Sequence, residues 1–395
     1  MRTLICLLLA PLALTACDDA ASTSPDAGTR DAAPPAADAR PGPDARPGPD
    51  GATPADLGRP DAAPPADAAP PADAAPPADA APPADAGADA ADAAGPPVDA
   101  AGPPADAAPG ADAGLVDPDA DGPEAVDEAD VMIPVGGGRT LAARVYRPAG
   151  PGDRPLLVLL HGFQLTGAAY AGHGRRLASH GFIALLPTEG DGLLNPLTHV
   201  QLAADVSAIL DWAVAGLPGV DAARIGALGH SRGGKQVILA AIRDARIRAV
   251  FGLDPVDAAP PFVVDPVAYP SVAPELMGDL TIPAGFIGAG LGSQPAFPGA
   301  PACAPDGENH TSYFASTGGP AWDYLLPMAG HLDFTDDCGL LCFGCTAGAS
   351  PAAARAFGWR TSVAFFKVHL LGDQAWQPWL DGPPVAAAGA RLERR

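Results

Sequence analysis

The chain of 395 residues carries 49 prolines, 47 glycines and 46 acidic side chains against 23 basic ones, for a net charge of −23. That balance excludes a nucleic-acid binder that works by neutralising phosphates, because the chain holds no basic excess. The charge is unevenly spread. Asp18–Asp130 contains 25 of the acidic and 4 of the basic residues, with few large apolar side chains to offset the entropy of ordering. The chain beyond Asp130 is nearly balanced, at 21 acidic and 18 basic residues, and its length suits one large or two small domains.

The first residues read as an export signal. Arg2 precedes an apolar run from Leu4 to Leu14, too short to span a bilayer comfortably, and small residues come after it. Leu14-Thr15-Ala16-Cys17 resembles the bacterial lipobox, in which the cysteine becomes the lipidated first residue. An ordinary signal peptide with an incidental Cys17 is the alternative. The expectation is a signal peptide over 1–16 and an exported bacterial lipoprotein. Lipid on Cys17 would anchor it to a membrane at the periplasmic face or cell surface. Residues 17–128 then read as a disordered tether. From Asp61 to Asp85 the unit Asp-Ala-Ala-Pro-Pro-Ala recurs, and paired prolines at that interval lack amide donors and forbid a helix. Such a chain prefers extended polyproline-like conformations, and its regular carboxylates keep it open.

Beyond the tether, residues 129–395 alternate strand and helix signals. Val131–Val135 and Leu141–Tyr146, joined through three glycines, predict a hairpin. Leu156–Leu160 is a continuous apolar run, as in a strand buried on both faces. A helix comes next over Ala168–His180, stopping at Gly181, then a strand over Phe182–Leu186 and a helix over Thr198–Ala215. Ile225–Leu228, Ala249–Leu253 and Ile282–Ile287 predict further strands, with a helix at Lys235–Arg243. A short strand at Tyr324–Leu326 and a closing helix at Pro351–Leu371 complete the pattern. This alternation implies an α/β fold with a mostly parallel sheet flanked by helices, whose site lies beyond the carboxyl ends of the strands.

Gly229-His230-Ser231-Arg232-Gly233-Gly234-Lys235 stands at such an end, between a predicted strand and a predicted helix. G-x-S-x-G in that context marks a nucleophile elbow, a sharp turn that exposes the serine hydroxyl, with glycines letting strand and helix pack closely. A hydroxyl is a poor nucleophile without a base, and the chain order expected of this fold is Ser, acid, His. His331, in Met328-Ala329-Gly330-His331-Leu332-Asp333, comes after the last predicted strand and is the first choice. His310 is the alternative base, whereas His161, His173, His180 and His199 precede the serine. For the acid, Asp254 directly succeeds a strand, with Asp257 the alternative. The next strand ends in Gly288-Ala289-Gly290-Leu291-Gly292-Ser293, which offers no carboxylate. Asp333 reads as a residue that steadies the loop. The main-chain amides of Phe163 and Arg232 are the candidate oxyanion donors.

Several segments together resemble plant chlorophyllase. They are Leu160-His161-Gly162-Phe163, Ala178-Ser179-His180-Gly181-Phe182-Ile183, the Gly-His-Ser-Arg-Gly-Gly-Lys elbow and Leu253-Asp254-Pro255-Val256-Asp257. Asn309-His310-Thr311-Ser312-Tyr313-Phe314 and Asp323-Tyr324 through Gly330-His331-Leu332-Asp333 complete the set. The resemblance implies an α/β-hydrolase that cleaves an ester without metal or organic cofactor. It implies Ser231 as nucleophile, His331 as base and an acid within Asp254–Asp257. Platelet-activating-factor acetylhydrolases and bacterial polyester hydrolases are similar, the latter less so because they take their acid from the later strand.

Four cysteines remain outside the leader and the lipid position: Cys303, Cys338, Cys342 and Cys345. In an exported protein they suggest up to two disulfides that pin the His331 loop, with three pairings open and a zinc knot as the alternative. Pro260-Pro261-Phe262 through Leu280 is expected to overhang the cleft with Phe163, Gln164 and Leu165, forming an apolar pocket. The functional expectation is a membrane-tethered serine carboxylesterase acting on a small-molecule or polymeric apolar ester (lipid, long-chain alcohol or polyester type). The competing class is a surface binding module that kept the fold without turnover.

Overall fold

The structure, a computed structural model, describes residues 117–190, 196–260 and 263–395. The expected leader, Cys17 and nearly all of the expected tether lie outside the described residues. Among the described residues nine strands form one sheet in the order β1-β2-β4-β3-β5-β6-β7-β8-β9. These are β1 (Val126–Pro134), β2 (Thr140–Pro148), β3 (Arg154–Leu160), β4 (Ile183–Thr188), β5 (Val220–His230), β6 (Ile247–Leu253), β7 (Ala284–Ala289), β8 (Ala321–Leu326) and β9 (Arg391–Arg394). The run from β4 to β8 is parallel, and antiparallel strands flank it at both edges. This is the α/β-hydrolase fold.

The parallel strands are apolar without alternation because both faces are covered. In β3, Leu157 and Leu159 pack into the layer under α1 (Ala171–Ser179) and α5 (Pro351–Leu371). Leu156, Val158 and Leu160 face the opposite layer under α2 (His199–Gly216) and α3 (Arg232–Arg243). Each of these side chains is buried, a contribution of roughly 1.5–3 kcal/mol apiece. α2 begins on a capping box in which Thr198 and Gln201 exchange side-chain and backbone hydrogen bonds. α5 begins with Pro351 and ends at Gly372, whose φ of 68° is the left-handed cap that glycine takes without a Cβ penalty.

The structure adds elements that the sequence pattern did not indicate. β1 starts at Val126, three residues ahead of the expected domain start. Before it, residues from the expected tether lie on the domain: Asp119 pairs with Arg360 and Asp121 with Arg176, and the Gly122 amide donates to Ser179 Oγ. α4 (His310–Ser316) precedes β8, and α6 (Gln377–Asp381) and α7 (Pro383–Ala387) precede β9. No helix among the described residues is long and apolar enough to cross a membrane.

Candidate active site

β5 ends at His230, and the chain turns into α3 through Ser231, which adopts φ 56° and ψ −124°. Such a left-handed backbone is costly for a residue with a Cβ and persists only where the surroundings impose it. They do so here by proximity. A Cβ on Gly229 would fall 2.2 Å from the Gly233 carbonyl oxygen, and one on Gly233 would fall 2.4 Å from that of Leu160. The Ser231 amide donates to the Leu253 carbonyl and its own carbonyl accepts from Val256, locking the turn to the end of β6. Only two other non-glycine residues among those described have positive φ: Gln164 at 59° and Asp254 at 42°. All three strained residues lie on the loops that meet at Ser231.

Those loops bring three expected side chains into one hydrogen-bonded chain. His331 Nε2 lies 2.9 Å from Ser231 Oγ, and His331 Nδ1 lies 2.7 Å from Asp254 Oδ2. A carboxylate accepts only, so Nδ1 carries the proton and Nε2 is left to accept from the serine hydroxyl. Asp254 is fully buried. Its second oxygen accepts from the Ala289 amide at 3.0 Å, and its own amide donates to the Ile287 carbonyl, so β7 holds it from both ends. Asp333 accepts from the Gly330 and Gly348 amides, which makes it the loop-steadying residue expected. Gly162 packs against Ser231, where a Cβ on it would lie 3.3 Å from the serine Cβ, and Phe163 comes next in the chain. The Arg232 guanidinium lies over the Phe163 ring at 5.2 Å. An imidazole oriented by a carboxylate and facing a hydroxyl can take the proton as that oxygen attacks a carbonyl.

Known proteins match this chain over the region that builds this geometry. The family model described as Chlorophyllase matches residues 136–377. The chain belongs to the chlorophyllase family. Chlorophyllase-2 of Arabidopsis thaliana is 31% identical over 248 residues, spanning 58% of this chain and 77% of that protein. Chlorophyllase-1 of the same plant is 28% identical over 254 residues, spanning 59% and 77%. The chloroplastic chlorophyllase-1 of Citrus sinensis is 30% identical over 204 residues, spanning 49% and 59%. Membership makes this chain an ester hydrolase. The chlorophyllase match begins at Gly136 and so includes every element that carries a site residue.

Within this chlorophyllase fold, the two alternative site residues fall elsewhere. His310, the alternative base, heads α4 and pairs through Nδ1 with Asp323 at 2.7 Å; the imidazole bonded to Ser231 is that of His331. His310 instead packs on Gly288 of β7, where a Cβ would fall 2.0 Å from its Nε2. Burial opposes its charge, but the hydrogen bond and charge of Asp323 prevail and raise its pKa. Asp257, the alternative acid, is turned away from His331. It accepts from Lys235 Nζ at 2.9 Å, from Ser271 Oγ, and from the Val272 and Ala273 amides. It therefore neutralises a buried lysine, whose pKa burial lowers, and ties down the segment after residue 270.

That segment corrects the expected pocket. Val272, Ala273, Met277 and Leu280 are core residues, and Pro261 and Phe262 lie outside the described residues. The cleft at Ser231, of about 250 Å³, is lined on its apolar side by Phe163, Leu165, Leu332 and Leu341, with Cys303 and Cys345. Cys303 is bonded to Cys345 and Cys338 to Cys342, so these sulfurs are not thiolate ligands for zinc. Among the described residues no three His, Cys, Asp or Glu side chains are grouped to hold a metal.

One polar network was not legible in the sequence. The fully buried His230 points Nε2 at the His331 carbonyl, 2.8 Å away, so that nitrogen carries the proton. Its Nδ1 must then accept from Tyr170, whose hydroxyl lies 2.7 Å away and in turn accepts from the Gly162 amide at 3.2 Å. Burial first, and then the adjacent His331, push the His230 pKa well below its usual value, consistent with this neutral tautomer. The network links the Gly162–Phe163 turn to the His331 loop. On the far side, Glu189 binds Arg232 at 2.8 Å, and its amide donates to His161 Nε2.

Proposed function

We propose that this chlorophyllase-family protein is a serine carboxylesterase. In this reading Ser231 attacks the ester carbonyl while His331 Nε2 takes its proton. Asp254 holds the imidazole in the required tautomer and stabilises it once charged. The tetrahedral oxyanion forms beside the Phe163 and Arg232 amides, the latter in the first turn of α3, where main-chain N–H groups project beyond the helix and the helix dipole favours negative charge. His331 then returns its proton to the leaving alcohol, and water releases the acyl group by the same steps reversed.

The observation that carries the reading is the continuous Ser231–His331–Asp254 hydrogen-bonded chain, at 2.9 and 2.7 Å, opening on an apolar cleft. The apolar lining favours an ester whose acyl or alcohol part is hydrophobic, with phytol-like, lipid and polyester-type substrates in the same chemical class. The Leu14–Cys17 lipobox supports attachment to a membrane, with the repeat region as spacer.

A fluorophosphonate probe tests the reading. The wild-type protein is expected to be labelled at Ser231 and to hydrolyse p-nitrophenyl butyrate. Ser231→Ala is expected to lose both properties while melting within a few degrees of the wild type. Labelling of Ser231→Ala at an unchanged rate would remove the nucleophile from the proposal, and absence of labelling in the wild type would favour a binding module.

A further inference from the structure

Large exposed apolar side chains on the described surface stand singly or, like Val264 and Val267, in a pair, and one turn gathers three of them. Leu340, Leu341 and Phe343, at 84%, 39% and 79% exposure, fall within four consecutive residues of the 3-10 turn Gly339–Gly344. Isolated exposed leucines are ordinary, but a cluster marks a contact surface. From Cys338 to Ser350 the sequence carries no charged residue. The turn is closed on itself by Cys338–Cys342 and held to the neighbouring loop by Cys303–Cys345, and its apolar side chains stand outward. That neighbouring loop carries Phe297, itself 52% exposed, and its Gln294 carbonyl accepts from Thr346 Oγ1.

The same turn forms a wall of the cleft. Leu341, Gly344 and Cys345 line it with Ser231, while Leu340 and Phe343 do not. Whatever receives the tip therefore also faces the mouth of the cleft. At about 250 Å³ that cleft is smaller than the usual range for enclosing a whole apolar ligand. A long acyl or alcohol chain must stay outside it, in another apolar phase. Between Asp18 and Gly114 the sequence offers only Leu57 and Val98 as large apolar residues to cover the tip.

We propose that the disulfide-clasped tip Gly339–Gly344 is an interfacial docking element. It seats the cleft mouth on an uncharged lipid surface and draws its ester from that surface. This rests on the esterase reading of Ser231 and adds to it where the substrate is met. Because the tip is uncharged and Asp337 stands exposed at its base, docking requires neither anionic lipid nor low salt.

The test uses the chain from Asp18 to Arg395 throughout, so that neither the apolar leader nor a lipid on Cys17 contributes. Sedimentation with vesicles of phosphatidylcholine alone reads docking. Hydrolysis of dissolved p-nitrophenyl butyrate, against p-nitrophenyl palmitate carried in the vesicles, reads its consequence. In Leu340→Ser/Phe343→Ser the vesicle-bound fraction and the palmitate rate are expected to fall about tenfold or more. Butyrate turnover, which also reports correct folding, is expected to stay within about twofold. The proposal is overturned if the wild type does not bind the vesicles, or if the variant binds them equally well. It is also overturned if the substitutions only convert a dimer to a monomer. A wild type that binds vesicles through the tip yet hydrolyses neither ester would keep the docking surface and refute the esterase.

Discussion

Asparagine at position 254 should silence the enzyme without disturbing its fold, and the reason lies in which oxygen does what. Oδ1 of Asp254 accepts from the Ala289 amide at 3.0 Å, while Oδ2 accepts from His331 Nδ1 at 2.7 Å. In Asp254→Asn the amide carbonyl has to face Ala289, because two N–H groups cannot face each other. The NH2 group is thereby turned to His331 and demands a lone pair from Nδ1. The imidazole must then carry its proton on Nε2, pointing at Ser231, and can no longer accept the serine proton. Loss of the correct tautomer in such a triad costs about 10⁴ in kcat, equivalent to about 5 kcal/mol of transition-state stabilisation. Asp257→Asn should do the reverse. It leaves the fully buried Lys235 ammonium without its carboxylate, a loss of roughly 3–5 kcal/mol in stability, and should leave kcat within about threefold of the wild type. The assay is p-nitrophenyl butyrate turnover beside guanidinium unfolding for both variants. Folded Asp257→Asn without activity, together with active Asp254→Asn, would refute the assignment of the acid.

Two further outcomes are expected from the polar groups behind the site. Tyr170→Phe removes the hydroxyl between the Gly162 amide and His230, so kcat is expected to fall about tenfold, with KM changed less than twofold, through loosened placement of His331. A lower melting temperature with unchanged kcat would show that the hydroxyl only stabilises the fold. Acid should destabilise the domain well before its carboxylates titrate. Burial, with the charges of Arg355 and Arg176, pushes His173 down to about 3, and burial foremost pushes His199 to about 3 and His180 to about 4. In the unfolded chain these imidazoles take a proton near the ordinary histidine value of about 6.5. Between that value and the depressed ones the unfolded state binds more protons, so stability falls as pH falls, by up to about 1.4 kcal/mol per unit for the fully buried His173. A guanidinium midpoint at pH 5 equal to or above that at pH 7 would refute this.

How much of this the sequence disclosed depended on whether a feature rested on apolar pattern or on polar pairing. The parallel strands were legible because burial on both faces writes an unbroken apolar run, as in Leu156–Leu160, and α5 was bounded by Pro351 and Gly372. β9 was not, because Arg391-Leu392-Glu393-Arg394 joins the sheet edge through its backbone with only partial side-chain burial, which leaves no hydrophobic signature. Residues 117–125 carry the acidic composition of the tether, and what holds them on the domain is partners such as Arg176 and Arg360, information held more than fifty residues away. The same division runs through the site. Ser231 announces itself because a strained turn needs glycines at fixed spacing, and chain order then narrows the base and acid to two candidates each. Separating His331 from His310, or Asp254 from Asp257, requires knowing which strand end each side chain faces. The Val272–Leu280 part of the expected wall went elsewhere for a related reason: apolar residues qualify equally for a pocket or a core, and the carboxylate of Asp257 holds Val272 and Ala273 inward. The wall came instead from the cysteine loop, whose place over the cleft is set by the Cys303–Cys345 bond, one of three pairings the spacing allowed. The tether-like acidity, the pocket and the His230 network thus share one property. Each is decided by a contact between distant residues whose types are compatible with several partners, and such contacts become readable only once the sheet has fixed which loops meet.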